Sequence, residues 1–107
     1  MSYKIYYTER AECDLTDIYE YIAFNLLAPE TAKKVIVKIM TEISSLNMTP
    51  LRHPLYKNEP WRSKGLRSFS VGNYLIFYLP VEEKNSIAVI RIMYSGRNIE
   101  NQLKNNT

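Results

Sequence analysis

Two strongly apolar runs separated by a short polar turn dominate the second half of the chain. YLIFYL (74–79) is apolar on both faces, and IAVIRIMY (87–94) is nearly so, with EEKNS (82–86) between them. A run of this length that is apolar on both faces suits a strand in the middle of a sheet, covered above and below. The sequence before it, LRSFSV (66–71), alternates, with Arg67, Phe69 and Val71 on one side and Leu66, Ser68 and Ser70 on the other. Gly72-Asn73 supplies the tight turn between them. Three consecutive strands with short turns predict an antiparallel meander.

A meander needs a cover for its apolar face, and the first half of the chain supplies one. Thr8 is placed to cap a helix, with Glu9 and Glu12 in the first turn, where the helix dipole favours carboxylates. Ala11, Leu15, Ile18 and Ile22 follow at helical spacing, and Tyr19 and Leu26 widen that stripe. LAPE (27–30) breaks the pattern, and Pro29 opens a second helix. Its stripe is Ala32, Val35, Ile36, Ile39, Ile43 and Leu46, and Asn47 and Pro50 stop it. The short connection predicts an antiparallel helical hairpin. YKIYY (3–7) reads as a first strand joining the sheet, residues 48–65 as a loop with three prolines, and 98–104 as a short helix.

The expected architecture is α+β. It has an N-terminal strand, a helical hairpin packed on a three- to four-stranded antiparallel sheet, and a short C-terminal helix. The 107 residues form one domain, ending in a polar tail over 104–107. No apolar stretch approaches the roughly 20 residues of a membrane span, and no signal-peptide segment is recognised. The expectation is therefore a cytoplasmic protein without membrane contact.

Much familiar chemistry has no basis in the sequence. A single cysteine, Cys13, excludes an internal disulfide and a multi-cysteine metal site. The three glycines form no phosphate-binding loop. No metal and no cofactor are expected. His53, alone in the proline-rich loop, reads as a solvated side chain before it reads as a general base. Trp61 reads as a loop anchor, and Cys13, off the apolar stripe, as incidental.

The net charge of +3 is unevenly placed. Residues 9–21 carry Glu9, Glu12, Asp14, Asp17 and Glu20 against Arg10. Residues 52–67 carry Arg52, Lys57, Arg62, Lys64 and Arg67 against Glu59. The basic and aromatic set Arg62, Lys64, Arg67, Tyr78, Arg91, Tyr94 and Arg97 fits either of two roles. Arginines on a sheet bind phosphate and stabilise a phosphodiester transition state, with tyrosine stacking on a base or moving a proton. The same groups also suit an edge that discourages strand pairing, or a contact surface for an acidic partner.

In the order and spacing of AECDLTDIYEYI (11–22), PETA (29–32), LR (66–67), YLIFY (74–78) and a last strand running into Arg97, the chain resembles the RelE/ParE superfamily of bacterial type II toxins. The resemblance spans nearly the whole chain. It implies a small toxin neutralised by a cognate antitoxin, acidic and partly disordered, that wraps around it. Contact with DNA would be indirect, through the antitoxin or through gyrase. RelE-like members cleave mRNA on the ribosome with basic side chains on the sheet. ParE-like members poison DNA gyrase and are not enzymes.

Position by position, Arg97 matches the arginine that closes the last strand in this superfamily. Leu75 stands where the nuclease branch has an arginine on the central strand. Leu66 and Ser68 stand where RelE-type members place lysines. The resemblance thus favours the ParE-like branch, with Arg62, Lys64, Arg67, Arg91, Tyr94 and Arg97 as the surface for target or antitoxin. The alternative is a ribosome-dependent endoribonuclease using Arg97, Tyr94 and Arg67, with His53 in support.

Overall fold

The computed structural model describes residues 2–96 and 99–104. The elements follow as β1 (Lys4–Tyr7), α1 (Glu9–Glu20), α2 (Pro29–Ser44), β2 (Arg67–Val71), β3 (Tyr74–Val81), β4 (Ser86–Tyr94) and α3 (Ile99–Lys104). A π-helical turn over Tyr21–Asn25 continues α1, and a 3-10 turn over Ser45–Asn47 continues α2.

Local chemistry sets the helix ends. Thr8 is extended, and its hydroxyl accepts from the Ala11 N–H at 3.1 Å while facing the Val89 and Ile90 carbonyls at 3.0 and 3.2 Å. One side chain therefore caps α1 and pins it to β4. Pro29 opens α2. Beyond the end of α2, the Arg52 guanidinium donates to the Ser45 carbonyl at 3.1 Å and to the Thr49 hydroxyl at 2.6 Å. That places a cation where the helix dipole is negative.

The four strands form one sheet in the order β1-β4-β3-β2. The meander β2-β3-β4 is antiparallel, as the turns require. β1 pairs in parallel with β4, so the sheet is mixed where an antiparallel one was expected. The hairpin α1-α2 and two strands intervene between β1 and β4, and a connection that long allows the parallel return that a tight turn forbids.

The hairpin covers one face. Ala11, Ile39, Ile43, Val71, Ile76, Val89 and Ile92 form the main core there, and Leu46, Tyr78 and Ile87 extend it. The opposite face is also covered. Tyr56 and Trp61 from the loop, Leu66, Phe77, Met93 and Leu103 of α3 form a second apolar cluster, with Leu75, Ile90 and Ile99 against it. This explains why 74–79 is apolar on both sides. The loop is held by main-chain bonds from Tyr56 N–H to the Leu66 carbonyl (2.7 Å) and from Ser68 N–H to the Pro54 carbonyl (3.3 Å). α3 is held to it by the Glu100 carboxylate, which accepts from Asn58 and from the Tyr56 hydroxyl.

β4 carries a bulge. Its register against β3 shifts between Phe77 and Tyr78, and Ile90 is the extra residue. Val89 and Ile92 are an odd number of residues apart, yet both reach the hairpin-side core. The bulge resets the alternation, and Arg91 is turned toward the sheet margin.

Candidate target-binding surface

The sequence-predicted site residues separate into three places. Arg62 and Lys64 are exposed in the loop over 48–65, on the far side of the sheet from the hairpin. Arg67 lies at the start of β2, partly buried, with its guanidinium donating to the His53 carbonyl at 2.6 Å. Tyr94 ends β4 and is 49% exposed, its ring edge-on to Tyr74 at 6.0 Å. Arg97 lies outside the described residues.

Arg67 pairs with Tyr78 and Tyr94 with Tyr74 in the ladder. Four residues of strand, roughly 13 Å, therefore separate the two sites along β3. Of the three residues named for the nuclease reading, Arg67 and Tyr94 therefore lie apart, and Arg97 is outside the described residues.

Arg91 is not a surface cation. It is 3% exposed, and each of its three guanidinium nitrogens donates to a partner. Nε and Nη2 donate to the two Asp14 oxygens at 2.7 and 3.0 Å, and Nη1 donates to the Gln102 carbonyl of α3 at 2.9 Å. The same Asp14 carboxylate accepts the Ile92 N–H at 2.9 Å. β1 ends at Tyr7, so the edge of β4 beyond Val89 has no strand partner among the described residues, and Asp14 supplies the acceptor in its place. An arginine expected to meet a partner instead fastens α1, β4 and α3 together. Two signals in the sequence point to this. Asp14 falls on the same helical face as Ala11 and Ile18, and Arg91 is the single charge in an otherwise apolar strand.

His53, Tyr78 and Arg67 do come together, but around packing contacts. The His53 ring stacks on Phe69 at 4.2 Å and meets Tyr78 edge-on at 6.3 Å. Burial, and then the nearby Arg52 charge, push the His53 pKa below its ordinary value, with Glu42 opposing. Tyr78 is fully buried, and among the described residues its hydroxyl has no hydrogen-bond partner within normal limits. Burial raises its pKa, offset in part by the His53 main chain and the Arg67 and Arg52 charges. A neutral imidazole on a ring face and a buried phenol make a packed corner rather than a proton-transfer pair open to substrate.

Leu66, Ser68 and Leu75 are the positions at which the resemblance implies cations in the nuclease branch. Leu66 is buried and Leu75 half-buried, both within the cluster closed by Trp61 and Leu103. Trp61 is 8% exposed and edge-on to Tyr56 at 5.9 Å, the loop anchor it was expected to be. Cys13 is exposed. Among the described residues no group of three or more His, Cys, Asp or Glu side chains could hold a metal ion. No helix among the described residues is long and apolar enough to cross a membrane.

A feature not anticipated lies at the tip of the hairpin. Tyr21, Phe24, Leu26 and Leu27 are exposed there, around the π-helical turn and a left-handed Leu27 at φ 54°. Tyr21 and Leu26 face Tyr74 and Tyr94 across a groove of about 630 Å³. The sequence shows more apolar residues at 21–27 than the helical stripe can bury, which was the available signal.

Residues 5–99 match the family described as ParE toxin of type II toxin-antitoxin system, parDE, and the chain belongs to this family within the RelE/ParE toxin superfamily. Solved structures share the fold. A chain of the chromosomal ParDE toxin-antitoxin system of P. aeruginosa is 23% identical, with 87% of this chain and 96% of that chain covered and a TM-score of 0.70. A chain of the RelBE2 toxin-antitoxin complex of Mycobacterium tuberculosis is 20% identical, with 88% and 99% covered and a TM-score of 0.62. A mutant of the E. coli toxin RelE in the free state is 14% identical, with 98% of each chain covered and a TM-score of 0.68. No curated protein sequence matches the chain.

Proposed function

We propose that this toxin acts by binding DNA gyrase and inhibiting it, without cutting RNA. The observation that carries this reading is the closed far face of the sheet. Leu75 and Leu66 pack against Trp61, Phe77, Met93 and Leu103 where metal-free cleavage would need cations on an open surface. Of the cations on β2, β3 and β4, Arg91 is buried on Asp14 and Arg67 is tied to the His53 carbonyl. What remains exposed at the end of β4 is an aromatic edge, Tyr94, suited to contact with a protein.

The proposal includes a cognate antitoxin, as in the ParDE and RelBE2 assemblies to which the fold is similar. The exposed Arg62 and Lys64 suit an acidic, partly disordered partner that folds as it binds. The proposed site of action is the cytoplasm.

The test is a supercoiling assay with the purified chain, gyrase, ATP and relaxed plasmid, beside an mRNA cleavage assay on programmed ribosomes. Loss of supercoiling with intact mRNA is expected. Cut mRNA with normal supercoiling would overturn the reading in favour of a ribosome-dependent endoribonuclease.

A further inference from the structure

The groove of about 630 Å³ lies between the last turns of α1 and the ends of β3 and β4, with Ile18, Ile22 and Ile92 among its walls. Its rim is apolar and wet, with Tyr21 at 55%, Leu26 at 56% and Tyr94 at 49% exposure. Phe24 and Leu27, at 66% and 82%, extend the apolar surface over the hairpin tip. A single exposed leucine needs no explanation, but side chains of this size side by side at one end of a molecule mark a contact surface. A wide apolar rim around a shallow trough accepts a stretch of polypeptide better than a small molecule, which a pocket would enclose.

Charge selects the occupant. Three charged residues line the groove, Asp14, Asp17 and Arg91. Asp14 and Arg91 neutralise each other at 2.7 Å. Asp17 is exposed and has no ion pair among the described residues, so the groove is left with one negative charge. Glu20, also exposed, lies three residues further along α1, one helical turn on the same side. Three tyrosines, Tyr21, Tyr74 and Tyr94, line the same groove, and their ring faces attract a cation as well.

We propose that this groove receives an apolar segment of a partner protein carrying a lysine or arginine, which is placed against Asp17. This inference rests on the reading of the chain as a protein-binding inhibitor. It gives the chain two contact surfaces of opposite sign: Arg62 and Lys64 for an acidic partner, and the groove for a cationic apolar one.

A random peptide library panned against the purified chain tests the groove whatever the gyrase assay returns. Enriched peptides should combine Leu, Phe or Trp with Lys or Arg. Binding of a synthetic copy should weaken about three- to tenfold in Asp17→Lys. It should weaken more than tenfold in Leu26→Asp, where an apolar anchor is lost. Both residues are exposed, and an unchanged melting curve establishes that each variant is folded. Panning against Asp17→Lys should instead enrich acidic peptides. Enrichment of acidic peptides by the native chain, binding indifferent to both substitutions, or no enrichment would each overturn the proposal. Failure here with gyrase still inhibited leaves the function intact and removes the groove; the converse removes gyrase and keeps the groove.

Discussion

Asp14 and Arg91, separated by 77 positions in the chain, meet in a two-pronged ion pair at 2.7 and 3.0 Å with the Arg91 side chain 3% exposed. The pair sits at the point where β4 outruns its parallel neighbour. Asp14 closes the open edge through the Ile92 N–H, and Arg91 reaches on to the Gln102 carbonyl of α3. Helix, strand and C-terminal helix therefore depend on one carboxylate and one guanidinium.

Removing either partner should leave the other buried without compensation. Asp14→Ala and Arg91→Ala are each expected to cost about 3–5 kcal/mol in urea unfolding. The double variant Asp14→Leu/Arg91→Met should be less destabilised than the sum of its parts, because no orphan charge remains. Arg91→Lys should not restore stability, since an ammonium cannot reproduce the fork that holds both oxygens and the Gln102 carbonyl. Additive single and double costs would show that the pair is not coupled.

Tyr78→Phe is expected to be neutral or stabilising by up to about 1 kcal/mol. The hydroxyl is buried and makes no hydrogen bond of normal geometry among the described residues, so its loss removes a poorly satisfied polar group while the ring keeps its place against His53 and Phe69. A fall in Tm would mean that the hydroxyl bonds in solution to the His53 main chain or to an ordered water.

His53 gives the fold a specific acid response. Its folded pKa lies below the ordinary 6.5, so the unfolded chain binds the proton more readily. Its contribution to stability is complete above about pH 6.5 and is lost as the pH falls from there through the folded pKa. Glu59, whose pKa is lowered mainly by its hydrogen bonds to Ser63, acts in a separate window below 4.5. Urea midpoints should therefore fall between pH 7 and pH 5, and His53→Phe should flatten that part of the curve. An unchanged slope in His53→Phe would assign the effect to other groups.

Leu75→Arg asks whether the missing cation alone separates this chain from a nuclease. The side chain lies among Phe77, Met93 and Trp61, so an arginine should destabilise the fold by about 1–3 kcal/mol and give no mRNA cleavage on ribosomes. Cleavage by this variant would show that the rest of a nuclease site is present.

Why some of this was legible in the sequence and some not follows from the range of the interactions. The caps at Thr8 and Pro29, the stripe of α1 as far as Ile22, the stripe of α2 and the turn at Gly72-Asn73 are local patterns, and each stands where the sequence placed it, whereas Leu26, expected on the α1 stripe, is exposed. The double-sided apolar run of β3 implied a cover on both faces but could not say that Trp61 and Leu103 supply it. The parallel pairing of β1, the bulge at Ile90 and the Asp14–Arg91 pair depend on contacts between distant segments. A charged residue in the sequence looks the same whether it faces water or a buried partner. For that reason Arg91 was grouped with the surface cations, while Leu26 of the apolar tip was absorbed into the helical stripe.

Tyr94 tests the contact surface with the least disturbance to the fold. Its ring is half in water and touches Tyr74 edge-on, an arrangement worth about 1 kcal/mol at most. Tyr94→Ala should therefore unfold at nearly the native urea concentration. Its loss from the interface should be larger, because an aromatic anchor enclosed by a partner commonly accounts for 2 kcal/mol or more, roughly thirtyfold in affinity. Gly96 offers an independent route to the same end. A Cβ there would lie 2.6 Å from the Tyr94 ring, so Gly96→Ala must displace an exposed side chain that is free to move. Both variants should inhibit supercoiling much less than the native chain while melting alongside it. Inhibition that survives both substitutions would move the gyrase contact away from the end of β4.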